Sequence, residues 1–247
     1  MWGKEEGPKT SCNEAVTPNT LHEKNFIKFR LDILQPICYA LNKKEVQNMY
    51  HIVVINGSGG KGKDTFAKNC LKLAFSHEIN PHTENDILAS LRIMCNIDSV
   101  YLVKNLAIMA GWDGTKTENN RKFLSDLKDL LSQWQDVPYK ETIKNINTAI
   151  KNINDYNNGN GIIFVHSREP KEIQRYVNYF GSNICHTLLI KNPNVSAILS
   201  NHADKNVENY HYDFIVYNNK DLNSLKEKAK LFYHHLFEDK IGKYIYD

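Results

Sequence analysis

His51-Ile52-Val53-Val54-Ile55-Asn56-Gly57-Ser58-Gly59-Gly60-Lys61-Gly62-Lys63-Asp64-Thr65-Phe66 is the stretch from which the rest of the chain can be read. An apolar run from Ile52 to Ile55 stops at a glycine-rich turn, and apolar residues then recur at helical spacing at Phe66, Cys70, Leu71, Leu73 and Ala74. Strand, tight loop and helix in that order, with Gly57, four residues, Gly62 and Lys63, match the pattern of a phosphate-binding P-loop. The residue types have physical reasons. Glycines let successive backbone N–H groups converge on phosphate oxygens, and the amino end of the next helix adds donors and partial positive charge. Lys63 would set a mobile cation between terminal phosphates, where charge moves during phosphoryl transfer. A bare match to this spacing arises by chance, so the flanking strand and helix carry the assignment. The expectation is a nucleotide-binding protein with Gly57, Ser58, Gly59, Gly60, Lys61, Gly62, Lys63, Asp64 and Thr65 around the phosphates.

Asp64 occupies the place where Ser or Thr would offer a hydroxyl to magnesium. Either its carboxylate reaches the metal through a water, or it caps the helix start. Thr65 is the next hydroxyl, so Asp64 and Thr65 are the two candidate ligands for Mg2+.

A chain of 247 residues fits one α/β domain with a small appendage. Lys plus Arg number 31 against 28 Asp plus Glu, and a net charge of +3 is too small to argue for nucleic acid. No basic stripe with interleaved aromatics appears either. The five cysteines, Cys12, Cys38, Cys70, Cys95 and Cys185, form no C-x-x-C pair, and the last three lie in apolar segments, which reads as buried free thiols in a reducing compartment. The histidines lack zinc-ligand spacing. No apolar run approaches a membrane span and the start is wrong for a secretory signal, so the expected location is cytoplasmic.

Residues 1–20 are polar and little order is expected there. From 21 to 49 apolar residues recur around Pro36, predicting one or two helices outside a nucleotide domain of residues 50–247. That extension is the candidate surface for a homodimer or a protein partner. After the loop helix, a connection over 77–91 leads to a second strand at Arg92–Ile97. Asp98 and Ser99 follow, with Ser99 as the expected cap of a helix from Val100 to Ala110. In a parallel sheet Asp98 and Ser99 share the carboxyl edge with the glycine loop, so they either contact an acceptor or only cap. Glu118 to Trp134 has helical spacing with Arg121 near its start and Lys128 on a polar position. Val137-Pro138 breaks the chain before a long helix to Tyr156. The third strand, Gly161–Val165, ends in His166-Ser167-Arg168. A fourth strand (His186–Ile190), a long connection over 191–211 expected to act as a lid, a fifth strand (Tyr212–Val216) and a closing helix (Leu222–Phe237) complete the pattern. Strands alternating with helices predict a doubly wound, mostly parallel, five-stranded α/β sheet with helices on both faces.

With those pieces in order, the chain from about residue 50 to 238 resembles the P-loop kinases of the phage-type deoxynucleoside monophosphate kinase and animal-type phosphomevalonate kinase branch. Three places carry the likeness: Gly62-Lys63-Asp64-Thr65, the strand end Val165-His-Ser-Arg168-Glu-Pro-Lys-Glu-Ile173, and Tyr212-Asp213-Phe-Ile-Val216-Tyr-Asn218-Asn219 after an amide-rich connection. The resemblance implies transfer of the γ-phosphoryl group of ATP, bridged by Mg2+, to a small acceptor that already carries a phosphate, foremost a nucleoside or deoxynucleoside monophosphate. Lys63, Arg121 and Arg168 would be the catalytic cations, with Asp98, Ser99 and Lys128 joining both arginines on the acceptor side. His166 stands where that family has an aspartate. Either Asp98 or Asp64 takes over the metal's support, or the protein binds nucleotide without efficient turnover.

Overall fold

The structure, a computed structural model, describes residues 49–75, 90–195, 207–237 and 244–246. Readings placed on residues 1–48, on 76–89 and on most of the expected lid, 196–206, lie outside them. Along the chain come β1 (Tyr50–Asn56), α1 (Lys63–Ala74), β2 (Asn96–Asp98), α2 (Tyr101–Met109), α3 (Glu118–Gln135) and α4 (Val137–Tyr156). Then follow β3 (Gly161–His166), α5 (Pro170–Phe180), β4 (Cys185–Lys191), β5 (Phe214–Tyr217), α6 (Leu222–Phe237) and β6 (Tyr244–Tyr246).

The strands form one sheet in the order β2-β3-β1-β4-β5-β6, and every pairing is parallel. β1 lies between β3 and β4 with Ile52 to Ile55 wholly buried, as a run that is apolar on both faces requires. Register assigns the two faces. His51, Val53 and Ile55 are level with Ile162, Phe164 and His166 of β3, so these share a face. Phe214 belongs to it through Leu188 and Ile55. α1 and α6 cover that face, where Phe232 meets Phe66 edge-on at 5.4 Å and Phe214 at 5.0 Å. α4 lies on the other, where a Cβ at Gly161 would come within 2.8 Å of Ile153. α5 joins α4 there, with Tyr139 stacked on Tyr176 at 5.2 Å. Asp136, in the left-handed conformation, turns the chain from α3 into α4, and its Oδ1 accepts from Arg175 Nη1 of α5 at 3.0 Å.

Several boundaries differ from expectation. The segment Arg92–Ile97 is not one strand: residues 91–94 are helical and only Asn96–Asp98 pair with β3. Leu91 and Cys95, four apart, are fully buried while Ile93 is 76% exposed, so the apolar period there is helical rather than alternating. The fifth strand begins at Phe214, since the Asp213 N–H donates to the Thr187 hydroxyl at 2.9 Å instead of joining the ladder. A sixth strand, β6, extends the expected five; three residues are too few for periodicity to announce it. Cys70, Cys95 and Cys185 are buried free thiols, and burial pushes the last two up to about 12. Among the described residues no helix is long and apolar enough to cross a membrane.

Candidate functional site at the carboxyl edge of the sheet

Because all strands run the same way, the loops after β1, β2, β3, β4 and β5 gather at one edge. The glycine loop, residues 57–62, sits at its centre. Gly57 has φ 141°, and a Cβ on it would lie 2.5 Å from the carbonyl oxygen of Ile190 in β4. Gly62, at φ 98°, begins α1 and packs where a Cβ would strike the Asn218 side chain. Both are positions that only glycine fills without strain. Gly62 gives α1 no side-chain cap, and the first intrahelical bond is Phe66 N–H to Gly62 O at 3.0 Å. The earlier N–H groups of that turn are therefore the sort of donors an anion takes up. Lys63 folds over the loop: its Nζ donates to Gly57 O and, at 3.0 Å, to Ser58 O.

Asn56 anchors this loop. It is wholly buried, accepts from Gly57 N–H at 2.7 Å, and donates through Nδ2 to Arg168 O at 3.1 Å and to the Tyr212 hydroxyl at 2.6 Å. Tyr212 in turn donates to Val207 O at 2.7 Å. One side chain thus fixes the ends of β1 and β3 and the segment leading into β5. Sequence reading gives Asn56 no role and Tyr212 only the start of a strand; a lone amide at the end of an apolar run is the available signal.

On the β4 side of the loop, a cavity of about 180 Å³ opens between Ser58, Lys61, residues 189–193, Val207, Glu208 and Tyr217. Lys61 Nζ donates to the carbonyls of Asn192 and Val195, and Asn218 Nδ2 donates to Lys61 O at 3.0 Å, so β4, β5 and the loop are tied together. Lys191 pairs with Glu208 at 2.9 Å across the rim.

On the β2–β3 side, Asp98 pairs with Lys104 and accepts from Val100 N–H at 3.1 Å in a turn before the helix; Val100 is the N-cap of α2, which has no side-chain cap, so Ser99 does not cap it. Ser99 is buried, held by its N–H to His166 O at 3.3 Å. His166 Nε2 lies 2.8 Å from Asn96 Oδ1, and its Nδ1 is 3.6 Å from Asp64 Oδ1. Burial holds the His166 pKa below the usual imidazole value, against the opposite pull of Asp64 and Asp98. Arg168 follows as a half-buried residue whose carbonyl receives Asn56. Ser167 Oγ donates to Glu172 at 3.2 Å, and Glu172 pairs with Lys128 of α3 at 2.9 Å with both side chains largely covered. Lys128 therefore reaches the end of β3.

Arg121 belongs to the same face of α3, seven residues and so about 10 Å nearer its amino end. Its Nε donates to Lys116 O at 3.1 Å, just before the helix, and α3 itself packs on α2 and α4. The edge thus gathers residues 57–65, Asp98, Ser99, Arg168 and, through Glu172, Lys128, with Arg121 two turns earlier on the same helix as Lys128.

The oxygen donors expected for Mg2+ are not gathered. Asp98 is engaged by Lys104, Asp64 faces an imidazole, and Thr65 is exposed on the first turn of α1. Among the described residues no group of three or more His, Cys, Asp or Glu side chains could hold a metal ion. A hard cation prefers oxygen ligands, and the group nearest the Asp64 carboxylate is an imidazole nitrogen.

No protein-family model matches the chain, and no curated protein matches its sequence. The fold is an α/β protein with a parallel sheet whose first five strands run in the order 2-3-1-4-5.

Proposed function

We propose that the carboxyl edge binds ATP with its phosphates on the glycine loop, and that the protein transfers the γ-phosphoryl group to a small phosphorylated acceptor, a nucleoside or deoxynucleoside monophosphate. The observation that carries this reading is the loop itself: Gly57 and Gly62 in backbone conformations closed to other residues, Lys63 across the loop's mouth, and an uncapped helix start behind it. The acceptor would lie toward β2 and β3, where Arg168 and Lys128 supply cations. Phosphoryl transfer asks for little covalent chemistry from the protein, so positioned cations and excluded water would provide most of the acceleration. In that state Lys63 leaves the carbonyls of Gly57 and Ser58 for phosphate oxygens.

The test is a coupled assay of ADP formation from ATP with each nucleoside and deoxynucleoside monophosphate, and with phosphomevalonate as the metabolite alternative. One acceptor should support turnover, and Lys63→Ala should reduce it by about a hundredfold or more. No turnover with any acceptor, while ATP still binds, favours a second reading: an ATP-binding regulatory module. His166 in place of a strand-end carboxylate and Arg121 bonded to its own helix start are the observations on that side.

A further inference from the structure

The Asp64–His166 pair has no role in the reading just given, and its geometry is specific. An amide oxygen only accepts, so the 2.8 Å contact with Asn96 Oδ1 places the ring proton on His166 Nε2 and turns the Nδ1 lone pair toward Asp64, 3.6 Å away. One imidazole nitrogen fixed by an acceptor and the other presented beside a carboxylate is the arrangement that metal-ligating histidines adopt. We propose that Asp64 and His166, together with phosphate oxygens of a bound nucleotide, form a site for a borderline divalent cation of the Zn2+ or Co2+ class in place of Mg2+. The proposal rests on the nucleotide-binding reading of the glycine loop.

Distances and chemistry agree on that class. With ligand bonds of about 2.0–2.2 Å, donors 3.6 Å apart subtend roughly 110–130° at the ion, at or somewhat above the tetrahedral angle. Octahedral Mg2+, with bonds of about 2.0–2.1 Å, places neighbouring donors about 3 Å apart and prefers oxygen. A neutral imidazole nitrogen shifts preference toward Zn2+ and Co2+. Two protein donors leave two tetrahedral positions for phosphate oxygens. Asp64 and Asp98 favour positive charge beside His166 while Lys63 and Lys104 oppose it, and with two protein donors the ion must take its remaining ligands from the phosphates. Binding of the cation is therefore conditional on the nucleotide.

Titrating Co2+ into the full chain, with and without the β,γ-imido analogue of ATP, reads this directly in the visible spectrum. The expected result is an intense band of four-coordinate Co2+ only when the analogue is present, surviving an excess of Mg2+. His166→Ala should remove the band, and His166→Asp should make it yield to Mg2+. Asp64→Asn is the second variant: the Asp64 side chain is 80% exposed, so its loss cannot be ascribed to a collapsed fold. Analogue binding in metal-free buffer is measured in parallel. A bound analogue with no band, or a band of equal strength in His166→Ala, overturns the metal assignment and leaves the loop reading standing. No analogue bound either in metal-free buffer or with Co2+ or Mg2+ present overturns the loop reading and the cation site with it.

Discussion

On the β4–β5 side of the glycine loop the loop's backbone is pressed close by its neighbours, whereas on the β2–β3 side helices and strands meet chiefly through charged side-chain pairs. Gly57 packs against the Ile190 carbonyl, Gly62 against Asn218, and Asn56 makes three hydrogen bonds from a fully buried position. Across the loop, α3 reaches the sheet's edge through Lys128 and Glu172, and not one of its 18 residues is fully buried. Close backbone approach leaves one residue type tolerable at a position, and that constraint is written into the sequence. Charge pairs between helices tolerate many residues, and sequence records them faintly.

The contrast can be broken by substitution. Gly57→Ala should have the largest effect on stability, because neither the carbonyl of Ile190 nor the positive φ can give way easily; about 3 kcal/mol of destabilisation is expected in urea unfolding. A loss under about 1 kcal/mol would mean that the loop is softer than its packing implies. Asn56→Leu should cost about 2 kcal/mol by stranding the Gly57 N–H and loosening Tyr212. On the other side, Arg175→Ala removes the guanidinium that holds Asp136 and lies 3.5 Å over the Tyr139 ring. About 1 kcal/mol is expected there, since the pair is partly exposed. If Arg175→Ala proves as damaging as Gly57→Ala, the two sides are equally constrained and the comparison fails.

The smallest effect concerns pH. His186 is 4% exposed beside His51 and Phe214, and burial lowers its pKa, outweighing the opposite influence of Asp213. The unfolded chain therefore takes up the proton first, so stability is fully present above the unfolded value of about 6.5 and declines as pH falls below it. Thermal unfolding between pH 7.5 and 5.5 should show that decline, and His186→Gln should lessen it, the remainder coming from His166, whose pKa burial also lowers.

Much of the fold was readable because long periodic segments leave little choice. The apolar run of β1, the helical spacing of α3, α4 and α6, and the turn before β3 all stand within a residue or two of expectation. What escaped notice was short or shared between distant parts. β2 has three residues, and its approach is helical because Leu91 and Cys95 are buried one turn apart. Ser99 looked like the cap of α2, but Asp98 reaches the Val100 N–H instead. In the site, Gly57, Gly62 and Lys63 were legible as a spaced motif. Asn56 was not, since its importance lies in Arg168 and Tyr212, more than a hundred residues away. The partner of Lys128 was hidden for the same reason.

Equilibrium binding of ATP to the wild-type chain and to Lys63→Ala, measured both in metal-free buffer and with a divalent cation present, tests the central claim most directly. One nucleotide should bind per chain, and the substitution should weaken it by about tenfold or more, the equivalent of about 1.4 kcal/mol. Absence of binding to the wild type, or equal affinity in the two proteins, would contradict the assignment of the glycine loop to phosphate.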